Sequence, residues 1–302
     1  MKRFLGFLSV AALGFGQLDA QAIPALGADH APGSAGVETF ASGISFGLPR
    51  NPAAIGGDHA WAVGFVASGS SVTDVSERSV GVSLRSGSIG IGARGTARRV
   101  DNLFDDPSLE NSSDLRVQDT EVSLGVSVVV NRRVRIGALG YYVSSEVLGT
   151  SGEGTGYRLG AQLALPWFSM GLTYGEIEAQ MGWEAVNTPT FKSPGTHRLA
   201  VGVETARLEK VPLKPMMTAE LDFDRGETKE TWVRGNLSLS LYGSSLRSLC
   251  GIAVSTDQRS RSYSEVGVLV AFSRFDLGLG LRFGADPVPG DSYSFGGQAH
   301  SR

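Results

Sequence analysis

Residues 120–130 read Thr120-Glu121-Val122-Ser123-Leu124-Gly125-Val126-Ser127-Val128-Val129-Val130. Side chains along a strand point alternately to its two faces, so every second residue shares a side. Thr120, Val122, Leu124, Val126, Val128 and Val130 fall on one face; Glu121, Ser123, Gly125 and Ser127 fall on the other, with Val129 the exception. A helix would instead gather its apolar residues three to four positions apart. The stretch is a strand, and a long one. A tilted strand needs about 9–11 residues to cross the hydrocarbon of a membrane, whereas an ordinary strand averages about 5–6.

The pattern recurs in both directions from there. Tyr157, Leu159, Ala161, Leu163 and Leu165 oppose Arg158, Gly160, Gln162 and Ala164. Met217, Ala219, Leu221 and Phe223 oppose Thr218, Glu220, Asp222 and Asp224. Val233, Leu237, Leu239 and Leu241 oppose Arg234, Asn236, Ser238 and Ser240. Phe275, Leu277, Leu279, Leu281 and Phe283 oppose Asp276, Gly278, Gly280 and Arg282. Thirteen such segments start near residues 60, 78, 88, 118, 133, 156, 167, 196, 214, 230, 246, 262 and 275. Long polar loops are expected at 70–77, 101–117, 148–155, 182–195, 225–229 and 257–261. They alternate with short links near 86–88, 131–132, 166, 207–213, 243–245 and 273–274. Long loops outside and short periplasmic turns are the rhythm of an outer-membrane barrel, which uses an even number of strands. A fourteenth strand is therefore expected, at Ser292 to Gln298 or within 38–47.

Bulk properties agree. The chain has 302 residues, 41 of them glycine, and one cysteine, Cys250, so it forms no internal disulfide. Beyond the N-terminus there is no run of about 18 apolar residues, which excludes helical membrane spans. Lys2 and Arg3, the apolar run Phe4 to Phe15 and Ala20-Gln21-Ala22 make a secretory leader over 1–22, with cleavage before Ile23. The net charge of −3 lacks the basic excess of a nucleic-acid binder.

Aromatics sit near both strand ends: Trp167, Phe168, Tyr242, Phe272 and Phe275 by the short links, and Tyr174, Phe223, Trp232 and Phe283 by the long loops. Two such bands make interfacial girdles. Glycine recurs on the polar face at Gly81, Gly90, Gly92, Gly125, Gly137, Gly160, Gly171, Gly202, Gly267, Gly278 and Gly280, leaving room inside for a plug or close backbone. That face also carries Arg94, Arg133, Arg135, Arg158 and Arg282 with Glu121, Glu265 and Asp276. Arg198 and Glu204, Glu220 and Asp222, and Arg234 lie on three successive strands and are expected to form a luminal charge network. Charges are tolerated in a lumen and costly against lipid.

Residues 23–58 are rich in Gly, Ala, Ser and Pro and lead into Asn51-Pro52-Ala53-Ala54-Ile55. An Asn-Pro-Ala-(Ala/Gly)-(Leu/Ile) sequence after a leader and before a barrel resembles the FadL-like outer-membrane proteins, which include fatty-acid transporters and the PorV/PorQ proteins of type IX secretion. The resemblance implies fourteen strands and an N-terminal hatch folded into the lumen, with Asn51, Pro52, Ala53, Ala54 and Ile55 in it. Departures are Arg50 where an aromatic is usual, a shorter chain, and a C-terminus, Ser294 to Arg302, without a terminal aromatic.

Other chemistry is weakly supported. Gly90-x-Gly92-x-x-Gly95 matches a dinucleotide fingerprint by letter but lies on a strand with no helix after it. His30, His59, His197 and His300 lack metal-ligand spacing. His197 near Ser169 or Thr173 would suit a barrel lipid hydrolase, but no acidic partner is evident. The acidic loop with Asp101, Asp105, Asp106, Glu110 and Asp114 lacks an EF-hand pattern and reads as a solvated outer loop.

The sequence thus predicts an all-β, transmembrane, antiparallel up-and-down β-barrel of about 14 strands with an N-terminal luminal hatch segment, in the bacterial outer membrane. Its divisions are a signal peptide (1–22), a hatch segment (23–58) and the barrel (59–302). No catalytic set, metal or cofactor is expected. The expected role is passive transport or capture of small hydrophobic, fatty-acid-like compounds. A scaffold or shuttle in protein secretion is the alternative, and a soluble secreted β-protein the third reading. Expected partners are outer-membrane lipid and lipopolysaccharide, the barrel-assembly machinery, and a hydrophobic small molecule or a secreted protein, not nucleic acid.

Overall fold

The computed structural model describes residues 51–57, 59–70, 75–100, 117–147, 150–166, 168–181, 191–192, 196–205, 213–224, 231–241, 246–256, 262–284 and 292–301. After a 3-10 turn at Pro52–Ala54, the strands are β1 Trp61–Ser70, β2 Val75–Ser86, β3 Ile89–Val100, β4 Val117–Val129, β5 Val134–Val147, β6 Thr150–Ala164 and β7 Phe168–Met181. They continue with β8 Phe191–Lys192, β9 Thr196–Thr205, β10 Leu213–Asp224, β11 Thr231–Leu241, β12 Leu246–Ser255, β13 Tyr263–Ala271, β14 Phe275–Gly284 and β15 Ser292–His300. β8 is a two-residue appendage to β7.

The other fourteen strands form one closed antiparallel ring. Each pairs with its neighbour in sequence, β7 passing over β8 to β9, and β15 returns to pair with β1. The parity question settles at the C-terminus: the fourteenth long strand is β15, over 292–300. The alternative over 38–47 lies outside the described residues. The long strands run from 9 to 15 residues, enough to span hydrocarbon when tilted.

Burial runs opposite to that of a soluble protein. On β4, Val122, Leu124, Val126 and Val128 are exposed, while Asp119, Glu121, Ser123 and Ser127 are buried. The same holds on β2, where Val80, Val82 and Leu84 face out and Glu77, Ser79 and Ser83 face in. An apolar belt this continuous is stable only where its solvent is lipid. Trp61, Phe272 and Phe275 are exposed at the short-link end and Phe283 and Tyr293 at the other, while Tyr142 and Tyr157 are exposed nearer mid-strand. Tyr174 lies beside Tyr157, with 6.3 Å between ring centroids. Phe65 of β1 and Phe295 of β15 meet edge to face at 5.2 Å and cover the seam from the lipid side. Replacing Leu124, near mid-strand, by arginine is expected to destabilise the barrel by about 2–4 kcal/mol. Urea unfolding in lipid vesicles checks this.

Three expectations change. The long loop expected at 70–77 is shorter, since β1 runs to Ser70 and β2 starts at Val75. Residues 150–155 belong to β6, paired from Val147↔Thr150 onward, so the long loop expected at 148–155 shrinks to a link of two residues. Thr150-Ser151-Gly152-Glu153-Gly154-Thr155 is polar on both faces and reads as loop, but strands that project past the membrane need no apolar face. Arg133 is exposed in the β4–β5 turn rather than on the inner wall. There the Asn131 side-chain oxygen accepts from the backbone N–H of Arg133 and of Val134, at 2.8 and 2.9 Å, tightening the turn.

Candidate functional site

The chain entering β1 lies inside the barrel. Asn51, Pro52, Ala53, Ala54 and Ile55 are all buried, with Asn51 and Ala53 at 0 % exposure. Asn51 caps the 3-10 turn: its Oδ1 accepts from the Ala53 N–H at 2.9 Å. Pro52 follows at the first turn position, where its fixed φ is suited and its missing N–H costs nothing.

What receives this turn is a row of small residues across the wall. Register places Gly90 of β3 beside Ser127 of β4, Ser127 beside Gly137 of β5, Gly137 beside Gly160 of β6, and Gly160 beside Thr173 of β7. A Cβ at Gly137 would collide with the Pro52 carbonyl, one at Gly160 with the Asn51 side chain, and one at Gly90 with the Ile55 carbonyl. Polar contacts hold the segment to three strands. Asn51 Nδ2 donates to the Ala161 carbonyl at 3.2 Å, Ser127 Oγ donates to the Ile55 carbonyl at 2.7 Å, and Arg85 Nη1 donates to the Gly57 carbonyl at 2.6 Å. Gly56, at φ +76°, makes the turn that a β-carbon would strain.

Ile55 also belongs to an apolar cluster with Leu139, Tyr141 and Val143, the inward residues of β5. The Ile55 Cδ1 lies over Gly125, and the Tyr141 ring lies against Gly156. These apolar side chains form a greasy strip on the inner face beside the buried turn.

The neighbouring wall is charged. Arg94 Nη2 pairs with Glu121 Oε1 at 2.8 Å, and Ser123 Oγ donates to the same oxygen at 2.7 Å. Arg98 faces Asp119 at 3.8 Å, Ser79 and Thr96 hydroxyls meet at 2.9 Å, and Glu77 is buried beside them. Across the seam Arg282 pairs with Glu265 at 3.3 Å and sits 4.1 Å over the Tyr263 ring. Glu77 Oε1, Arg94 Nε, Arg98 Nε and Nη1, and Glu121 Oε2 are buried without a protein hydrogen-bond partner, and lumen water is the natural group to satisfy them.

Of the expected network on β9–β11, Arg234 is buried and register sets it beside Glu220. Register also sets Glu204 beside Thr218, and Arg198 beside Asp224. The side chains of Arg198, Glu204, Glu220 and Asp222 lie outside the described residues. Glu77, Arg98 and Asp119 add to the luminal charges read from the sequence; Asp119 lies just beyond the acidic loop, two residues into β4. His197 pairs in register with Glu176, well along β7 from Ser169 and Thr173. Among the described residues no group of His, Cys, Asp and Glu is placed to hold a metal ion.

These features define a class: a closed transmembrane β-barrel of outer-membrane type, with a segment preceding its first strand seated inside. Solved structures share the fold. The Ralstonia pickettii toluene transporter TbuX is 12 % identical, with 91 % of this chain and 98 % of that chain covered and a TM-score of 0.58. The Pseudomonas putida toluene transporter TodX is 12 % identical, with 90 % and 96 % covered and a TM-score of 0.59. The CymD monoaromatic hydrocarbon channel is 11 % identical, with 91 % and 97 % covered and a TM-score of 0.57. In fold the chain is thus like the FadL-family outer-membrane barrels. No family model and no curated sequence matches it.

Proposed function

We propose that this protein is an outer-membrane channel for small hydrophobic compounds, with residues 51–57 acting as a luminal hatch. The observation that carries the reading is the seating of Asn51–Ile55 on a glycine row, with Ile55 joined to the Leu139–Tyr141–Val143 strip. A compound entering from outside would exchange water for that strip, at about 25 cal/mol per Å² of apolar surface buried. No covalent step is involved. Similarity of fold to hydrocarbon transporters supports a monoaromatic ligand over a hydrophilic solute, and a fatty-acyl ligand rests on the sequence resemblance alone.

Uptake of labelled toluene and of a labelled fatty acid into cells with and without the protein tests this. Faster uptake of either is expected with it. Equal rates for both compounds would remove the channel reading, and a secreted protein co-purifying in defined proportion would replace it with a secretion scaffold.

A further inference from the structure

The hatch segment has a root, and it is made of residues from opposite ends of the chain. His59, two residues before β1, stacks on His300 at the end of β15, with ring centroids 3.9 Å apart. Nδ1 of His59 lies 2.9 Å from the Ser301 carbonyl, and Nδ1 of His300 lies 3.0 Å from the same oxygen. Nε2 of His300 lies 3.2 Å from Asp276 Oδ2 on β14. The Ser301 hydroxyl accepts from the backbone N–H of Ala60 at 2.7 Å and of Trp61 at 3.2 Å, and the Ser301 N–H donates to the Trp61 carbonyl at 3.0 Å.

Each ring nitrogen of His300 faces an oxygen acceptor. Neutral imidazole donates from one nitrogen only, whereas imidazolium donates from both. Both contacts are made at once only with a proton on each nitrogen, and Asp276 then faces the added charge. His59 needs only one proton, on Nδ1, to satisfy its contact. A second proton on His59 would set two cations face to face with one carboxylate between them. The surroundings supply no other compensating group among the described residues. Ala62 on β1, Ser83 on β2, Gln298 on β15 and Ala271 on β13 fill the adjoining inward positions. Arg274 offers its carbonyl to the His300 N–H and its side chain is exposed, and Arg85 is committed to the carbonyls of Gly57 and Gly87. Asp58 and Arg302 lie outside the described residues.

We propose that His59, His300 and Asp276 form a proton-operated clasp that holds the root of the hatch to the barrel seam and loosens when the surroundings acidify. The clasp rests on the reading of 51–57 as a hatch. It gives that segment a release signal at the periplasmic end of the barrel, because histidine is the side chain that titrates near neutrality.

Hydrogen exchange of the peptide spanning 51–57, in the full barrel in detergent and corrected for intrinsic exchange rates, tests the proposal at about pH 7.5 and about pH 5. Protection is expected to fall about ten-fold on acidification, the scale of one like-charge contact at the wet end of a barrel. His59→Gln, which cannot take the second charge, is expected to keep its protection at both pH values. Protection of the wild type that does not change with pH would overturn the clasp while leaving the hatch in place. An acid response in His59→Gln equal to that of the wild type would overturn it too. A segment unprotected at both pH values would overturn the clasp and the hatch together.

Discussion

Replacing Gly137 by valine is expected to lift the Pro52 turn off the barrel wall and open the lumen. The added Cβ would overlap the Pro52 carbonyl and the backbone of Ala53, and backbone cannot rotate away as a side-chain tip can. Overpacking a close-fitted site costs about 1–3 kcal/mol even where neighbours yield. Since each 1.4 kcal/mol changes a population ratio by about ten-fold, the seated hatch should lose about ten-fold or more of its population. The strand itself should accept the change, because valine suits a strand better than glycine does. Gly140→Val is the control. Gly140 faces outward on the same strand, and its nearest new contact is the Gly156 carbonyl oxygen at 4.0 Å. In planar bilayers Gly137→Val should conduct more than the wild type while migrating as a folded barrel on unheated gels, and Gly140→Val should match the wild type. Equal conductance in all three would mean that the Pro52 turn does not obstruct the pore.

That experiment turns on a feature half visible in the sequence. Alternation at 120–130 and its repeats placed thirteen long strands, because lipid demands an apolar outer face and leaves the inner one free to be polar, while the fourteenth, at 292–300, followed only from even parity with 38–47 as its alternative. The glycines on that inner face were visible as well, and so was the Asn51–Ile55 motif. Their meeting was not, since it depends on register: Gly90, Gly137 and Gly160 become one row only after three hairpins fix their offsets. Register hid the rest for the same reason. Glu77 and Arg98 stand beside each other on β2 and β3, yet near loops their alternation fades into polar sequence on both faces. His59 and His300 are distant in sequence and lacked any ligand-like spacing; only ring closure stacks them. The polar start of β6 reads as loop because alternation reports lipid contact, and that contact ends before the strand does.

Removing Glu121 is expected to be the most damaging single truncation of the charged wall. It would leave the Arg94 guanidinium, 8 % exposed, without its 2.8 Å carboxylate, and Ser123 without its acceptor. Breaking one partner of a buried pair costs about 3–5 kcal/mol, and lumen water should hold Glu121→Ala toward the lower end. Arg94→Ala should be milder, because Ser123 can still satisfy the carboxylate. The double variant should cost less than the two singles together, since it leaves no lone charge, and a double-mutant cycle on urea midpoints reads that coupling. The cycle also decides what mixed-sign charges are for. A structural wall predicts lost stability with unchanged ion preference in a hatch-open background such as Gly137→Val. A filter predicts the reverse: the barrel would unfold as before, and the cation-to-anion permeability ratio would move with the charge removed. Pairing at 2.8 Å, with a third group bound to the same carboxylate oxygen, commits Oε1 of Glu121 to the wall and leaves only Oε2 to lumen water, and so favours the first outcome.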